Sequence, residues 1–230
     1  SKLKRLGVEE TQIRQIPNGV DTEEFQPNSD IDINELVLCD KIENDDTVFT
    51  YVGLLNERKG VKSLLKAWNN ASRTERNIKL MLIGPIKSGE FLEWLNTFIN
   101  RENLESSVQK LGHVSEVAPY LQVSDCFVFP SKSEGLPNVV LEAMSTGLPV
   151  IARDIGVVKD LIDYEYNGYL CDRGEKEFVN CFVDKIKRIK KYPKVRETFG
   201  EKSRDKILNN YSIEKIKDDY DRLYKSLLRC

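Results

Sequence analysis

The chain has 230 residues, 40% of them apolar and 31% charged, with a net charge of −2. That balance suits one generous soluble domain, or one domain with part of another, and excludes the disordered and membrane-embedded classes. It offers no overall positive field for nucleic acid, and a single histidine, His113, excludes a histidine-rich metal site and leaves any Ser-His-Asp triad only one possible base.

Residues 1–46 open with a helix-like start, a short apolar run at 13–16 and the turn Pro17-Asn18-Gly19. A polar, Asp-rich stretch follows over 28–46. A β-α domain rarely begins with a lone helix and strand tied to a long polar loop. Residues 1–46 are therefore expected to be the remnant of an amino-terminal domain with an interdomain linker. From residue 47 short β-rich runs appear at 48–52, 78–83, 108–111, 126–129, 149–151 and 169–170, with amphipathic stretches of helical length between them, such as 61–71 and 91–100. After Glu175 the β signal stops and the chain reads as helix to its end, broken near Pro193. Alternation of this kind predicts an α/β fold: a Rossmann-like doubly wound parallel sheet over 47–230, helices on both faces, and a helical carboxyl-terminal segment.

Five scattered cysteines, Cys39, Cys126, Cys171, Cys181 and Cys230, form no Cys-x-x-Cys pair, and a reducing compartment fits them best. No apolar run is long enough to span a bilayer, and residues 1–5 lack the apolar core of a signal peptide, so the chain reads as cytoplasmic. The one basic stretch, Lys185 to Arg196, alternates with Ile186, Ile189 and Val195. It reads as a solvated helix face, with peripheral contact to an acidic membrane as the alternative.

Three loops end strands and open helices: residues 53–60 (GLLNERKG), 84–89 (GPIKSG) and 130–138 (PSKSEGLPN). With strand order 3-2-1-4-5-6 the first and fourth strands are neighbours, and a crevice opens between their carboxyl ends. Arg58 and Lys59 would then face the Glu134 loop. Unpaired N–H groups at helix starts attract anions, and two mobile cations add to them, so the crevice suits a diphosphate. The competing reading of Arg58 and Lys59 is an exposed helix start, although cations there oppose the helix dipole. Neither a Gly-x-Gly-x-x-Gly fingerprint nor a P-loop motif is present, which speaks against a dinucleotide cofactor and a P-loop site.

Glu142 is the oddity, a carboxylate among Val139, Val140, Leu141, Ala143 and Met144. If Asn138 begins the helix, Glu142 lies one turn in, where its oxygens can accept from two adjacent hydroxyls such as those of a ribose. Glu134 and the N–H groups of Gly135, Leu136 and Asn138 lie nearer the rest of the ligand. Pro137 has no N–H and only shapes the turn. The plainer readings remain open: a helix-start acid for Glu134, a salt-bridged helix residue for Glu142.

The segments IPNGVDTEEFQP, YVGLLNERKGVKSLLKAW, LMLIGP, LGHV, SDCFVFPSKSEGLPNVVLEAMSTGLPVIA and NGYL, in this order, resemble the carboxyl-terminal half of a family 4 retaining glycosyltransferase of the GT-B fold. The resemblance runs from about Ile13 to the last helix, and the two glutamates of residues 134–142 followed by Ala-Met are its specific part. It implies one half of a GT-B enzyme, binding a nucleotide-sugar donor with no cofactor and no metal. The donor it suggests is a uridine diphosphate sugar.

By the same resemblance Glu134 contacts the transferred sugar, Glu142 holds the ribose, Lys59 meets the diphosphate and Val114 lies by the base. Gly53, Gly84 and Val139 complete the substrate-binding set. Leu54 stands where the family often carries an arginine, and Arg58 is the substitute cation. The acceptor, a glycan, lipid or protein, would be chosen by an amino-terminal domain closing over the donor. Two other readings stay in view: a nucleotide-sugar-binding module without catalysis, and a metal-dependent transferase using Asp30-Ile31-Asp32, with Asp219-Tyr220-Asp221 as a second acidic triplet.

Overall fold

The computed structural model describes residues 6–28, 30–31, 36, 42–43, 45–172 and 174–228. Cys39 and Cys230 lie outside these, as does Asp32 of the first acidic triplet.

Six strands form one parallel sheet: β1 (Thr47–Val52), β2 (Ile78–Ile83), β3 (Val108–Gly112), β4 (Cys126–Phe129), β5 (Val150–Arg153) and β6 (Gly168–Cys171). Their order is β3-β2-β1-β4-β5-β6, the expected doubly wound arrangement. In the central β1, β4 and β5 every residue is buried, because helices cover both faces.

Alternation along the strands sorts two cores. Phe49, Tyr51, Leu80, Leu82, Cys126 and Val128 face one layer, formed by α1 (Val61–Ser72), α2 (Gly89–Arg101) and α5 (Glu175–Lys191). Val48, Val52, Met81, Ile83, Phe127 and Phe129 face the other, formed by α3 (Ala118–Gln122), α4 (Asn138–Ser145) and α6 (Pro193–Asn210). A last helix, α7 (Ile213–Leu227), follows a break at Tyr211-Ser212 where the Ser212 hydroxyl accepts from the Lys215 N–H.

The stretch 18–28 is strapped to the second layer. Val20 exchanges backbone bonds with Tyr211 and Ile213 at 2.9 and 3.1 Å, and the Phe25 carbonyl accepts from Ser145 (2.6 Å) and Arg204 (3.1 Å). These bonds bring the opening residues beside α4.

One cysteine expectation needs correction. Cys171 on β6 and Cys181 on α5 form a disulfide with a Cα–Cα distance of 5.6 Å, while Cys126 is a buried free thiol. The sequence spacing hid the pair, because a strand and the antiparallel start of the next helix bring together residues ten apart that share no motif.

Candidate functional site

The carboxyl ends of β1 and β4 carry the candidate residues, and the loops that leave them are tied together. The Arg58 guanidinium donates to the Ser133 carbonyl at 3.3 Å, and the Lys132 N–H donates to the Arg58 carbonyl at 3.2 Å. Lys59 and Glu134 form an ion pair at 2.5 Å, with side chains 21% and 13% exposed. The Ser131 hydroxyl donates to the same Glu134 oxygen at 2.5 Å. The other carboxylate oxygen, Oε2, has no partner among the described residues. Glu134 is thus a half-sheltered acceptor with one lone oxygen, and Lys59 is a cation held beside it.

Local sequence explains this seat. The Asn56 side chain accepts from the Lys59 N–H at 2.8 Å and folds the loop back on itself. Gly60 then turns into α1 with φ of +77°, and its Cα faces the Pro130 carbonyl so closely that a Cβ would lie 2.0 Å from that oxygen. Glycine is what lets loops 53–60 and 130–138 meet. Gly84, at φ of +133°, likewise abuts the Gly53 carbonyl, where a Cβ would fall 2.1 Å away. The predicted glycines Gly53 and Gly84 therefore lie against each other at the ends of the adjacent strands β1 and β2.

Helix α4 starts at Asn138, as the sequence predicts, and no side chain caps it. Val140 donates to the Pro137 carbonyl, whereas no backbone bond among the described residues uses the N–H groups of Gly135, Leu136 or Asn138. They remain donors for a ligand. Glu142 lies one turn further and half-buried, and its carboxylate has no hydrogen-bond or ion-pair partner among the described residues. The salt-bridged alternative is thereby overturned. Burial first, and the Glu24 carboxylate second, raise its pKa above the ordinary value. Val139 is half-buried beside it. Tyr51, buried beneath the first loop, donates to the Leu54 carbonyl at 3.0 Å, and burial with the nearby Glu134 charge pushes its hydroxyl far up, so it stays neutral.

Val114 is the outlying member. It follows β3, two strands from β1, and lines a cavity of about 360 Å³ with His113, Ser115 and Tyr120. It packs against the same apolar core as Leu136 and Val139.

Sequence reasoning missed several contributors. Asn18 donates to the Asn138 side chain at 2.9 Å, bringing the Pro-Asn-Gly turn to the start of α4. Glu24, Ser131 and Tyr51 also reach the site; Asn18 carried a signal as the centre of a turn and Ser131 as a member of loop 130–138, while Glu24 and Tyr51 carried none. Conversely, two cavities of about 480 Å³ open at the amino-terminal ends of the strands, around Arg73, Glu102, Asp125 and Arg196. At that end Glu102 is held by Asn69, Arg73 and Arg101, and Asp125 by Arg196. In the basic stretch Lys185 pairs with Asp184, Lys194 pairs with Glu197, and Arg188 donates to the Tyr169 hydroxyl. In the second acidic triplet, Asp219 is held by Lys215 and Arg222, and Asp221 by Lys225. Among the described residues no three metal-ligating side chains cluster, and no helix is long and apolar enough to cross a membrane.

Comparison with known proteins decides the family. The description "Glycosyl transferases group 1" matches residues 40–206. The chain belongs to the group 1 glycosyltransferases. It is 32% identical over 230 residues to the UDP-Gal:alpha-D-GlcNAc-diphosphoundecaprenol alpha-1,3-galactosyltransferase of Escherichia coli, covering 96% of this chain and 56% of that protein. Sucrose-phosphate synthase from Thermosynechococcus elongatus superposes with a TM-score of 0.83 at 25% identity, over 99% of this chain and 55% of that one. Anabaena HepE in complex with UDP gives 0.82 at 21% identity, over 97% and 60%. This glycosyltransferase chain thus spans a little over half the length of its curated relatives, and corresponds to the carboxyl-terminal domain of the GT-B architecture.

Proposed function

We propose that the chain is the donor-binding half of a retaining, family 4 glycosyltransferase that takes a uridine diphosphate sugar and needs no metal. The observation that carries this is the pairing of a cation and an acid across neighbouring strands, Lys59 with Glu134 at 2.5 Å, one uncapped helix start away from the unpartnered Glu142. A relative that uses UDP-galactose by name, and a neighbour in complex with UDP, support the choice of uridine.

In this reading the ribose hydroxyls donate to Glu142, which supplies the missing polar partner for that half-buried carboxylate. The diphosphate lies over the α4 N–H groups and draws Lys59 away from Glu134, with Arg58 close by. Glu134, released from the ion pair and still held by Ser131, accepts from the hydroxyls of the sugar. As the bond from the anomeric carbon to the phosphate oxygen breaks, its electron pair leaves with the diphosphate, the acceptor hydroxyl oxygen bonds to that carbon, and the acceptor's proton passes to the departing phosphate oxygen. Lys59, Arg58 and the N–H groups are already aimed at that developing charge. Chemistry of this kind asks for positioning and electrostatics rather than a protein nucleophile.

Turnover is proposed for the whole protein, whose remaining half would bring the acceptor, and binding alone for this chain. The test is an assay of the whole protein with uridine diphosphate sugars and added chelator, reading the anomeric configuration of the product by NMR. Retention without metal is expected; inversion, or strict dependence on manganese, would reject the proposal. A thermal-shift comparison of uridine, guanosine and adenosine diphosphates on this chain tests the base.

A further inference from the structure

Arg153 closes β5 with a side chain only 3% exposed, a costly place for a guanidinium. Its surroundings account for the choice. Nε donates to the Pro130 carbonyl at 3.1 Å. The guanidinium carbon lies 3.7 Å from the centre of the Phe178 ring, and Nη2 approaches Glu175 at 3.6 Å. Glu175 in turn accepts from the buried Ser63 hydroxyl of α1 at 2.8 Å and meets Lys66 at 3.7 Å. One side chain therefore joins β5, α5 and the loop after β4, and through Glu175 it reaches α1, the helix that Lys59 and Gly60 open.

Pro130 is the hinge of this arrangement. Its carbonyl accepts from Arg153 and abuts Gly60, and the turn that follows it carries Ser131 and Glu134. A displaced Pro130 carbonyl shifts the seat of Glu134 and the partner of Lys59 together. An apolar residue would complete the run Val150-Ile151-Ala152 at less desolvation cost, but it would leave that carbonyl buried without its donor. Burial lowers the guanidinium pKa while Glu175 opposes the shift, and arginine's ordinary value is high enough for the charge to persist.

We propose that Arg153 is a positioning residue for the donor seat: braced by Glu175 and Phe178, it holds the Pro130 carbonyl and so fixes turn 131–134, and hence the aim of Glu134 and Lys59 at the diphosphate and sugar. The proposal rests on the donor-binding reading given above. It differs from a merely structural role because its effect falls on the diphosphate end of the ligand and not on the ribose end held by Glu142.

The experiment compares the unaltered chain with Arg153→Met, Arg153→Lys and Glu175→Gln in two arms. Hydrogen exchange without ligand is expected to show faster exchange at 131–136 in Arg153→Met, with the strands unchanged. Titrations with UDP and with uridine are expected to show UDP affinity falling by roughly tenfold, since small misplacements of positioned groups carry large penalties, while uridine affinity stays constant. Arg153→Lys, which keeps the charge but cannot reach both partners, should recover thermal stability more than UDP affinity. Should Arg153→Met fail to fold, the lysine and Glu175→Gln variants carry the same comparison. Equal loss of UDP and uridine binding, or unchanged protection at 131–136, would overturn the proposal. If the unaltered chain binds neither probe, the donor reading falls, and the exchange arm alone still decides whether Arg153 sets the turn.

Discussion

Glu142→Ala separates function from stability, because the two should move in opposite directions. The carboxylate is half-buried in α4, has no partner among the described residues, and feels the charge of Glu24. Removing it from the unliganded chain relieves a desolvation cost and introduces a better helix former, a gain of about 0.5–1 kcal/mol for a group this exposed. For a domain of this size that raises the melting temperature by about 1–4 °C.

The sign with pH follows from linkage. The folded pKa of Glu142 lies above the ordinary value of 4.5, so the folded state holds the proton more tightly than the unfolded one. Its stabilising contribution is complete below the unfolded value and is lost as the pH rises through the raised folded value. The advantage of the alanine variant should therefore be largest at neutral pH and shrink towards pH ~4, where only the helix-propensity part remains. Binding behaves oppositely. Losing two charge-assisted hydrogen bonds from ribose should cost about 1.5–3 kcal/mol, roughly a ten- to hundredfold weaker UDP. Calorimetry with UDP and thermal melts across the pH range give both numbers from the same preparations. A variant that melts lower at neutral pH, yet binds UDP as tightly as the unaltered chain, would refute the assignment of Glu142 as a ribose acceptor held ready at a stability cost.

Lys59→Met should weaken UDP about tenfold while leaving uridine affinity unchanged, read by the same calorimetry, because only the diphosphate contact is lost. Gly60→Ala forces a left-handed residue and a Cβ 2.0 Å from the Pro130 oxygen; thermal melts should show a loss of about 3 kcal/mol, or roughly 6–12 °C. Reduction of Cys171–Cys181, which closes a loop over a sequence separation of 10, should lower stability by about 2–3 kcal/mol, measured as the melting shift with and without reductant.

Much of this fold is legible in the sequence because its strands are buried on both faces and its helices on one. The run Cys126–Phe129 is continuous and apolar, Ile78–Ile83 is interrupted only by Lys79, and the period changes cleanly at Val61 and Gly89. The sheet has the common doubly wound order that the sequence reading takes as its premise, and that order brings Lys59 and Glu134 together. What stayed hidden is what distance in sequence conceals. Arg153 looks like an exposed strand end until Phe178 and Glu175 of α5 fold over it. Glu24 and Asn18 reach the site only because Arg204 and Ser145 tie residues 22–25 to α4 and α6. The break at Tyr211-Ser212 was overrun for a different reason: both flanks are amphipathic helix, and one serine cap is a faint signal beside them.

The central claim is that a nucleoside diphosphate seats between the ends of β1 and β4. Titrating the labelled chain with UDP and following its amide resonances addresses it most directly. The account predicts the largest shifts at 53–60, at 134–139 and at Glu142, with smaller ones near Val114. Shifts confined to the opposite end of the sheet, around Arg73, Lys79 and Arg196, or no shifts at all, would contradict it.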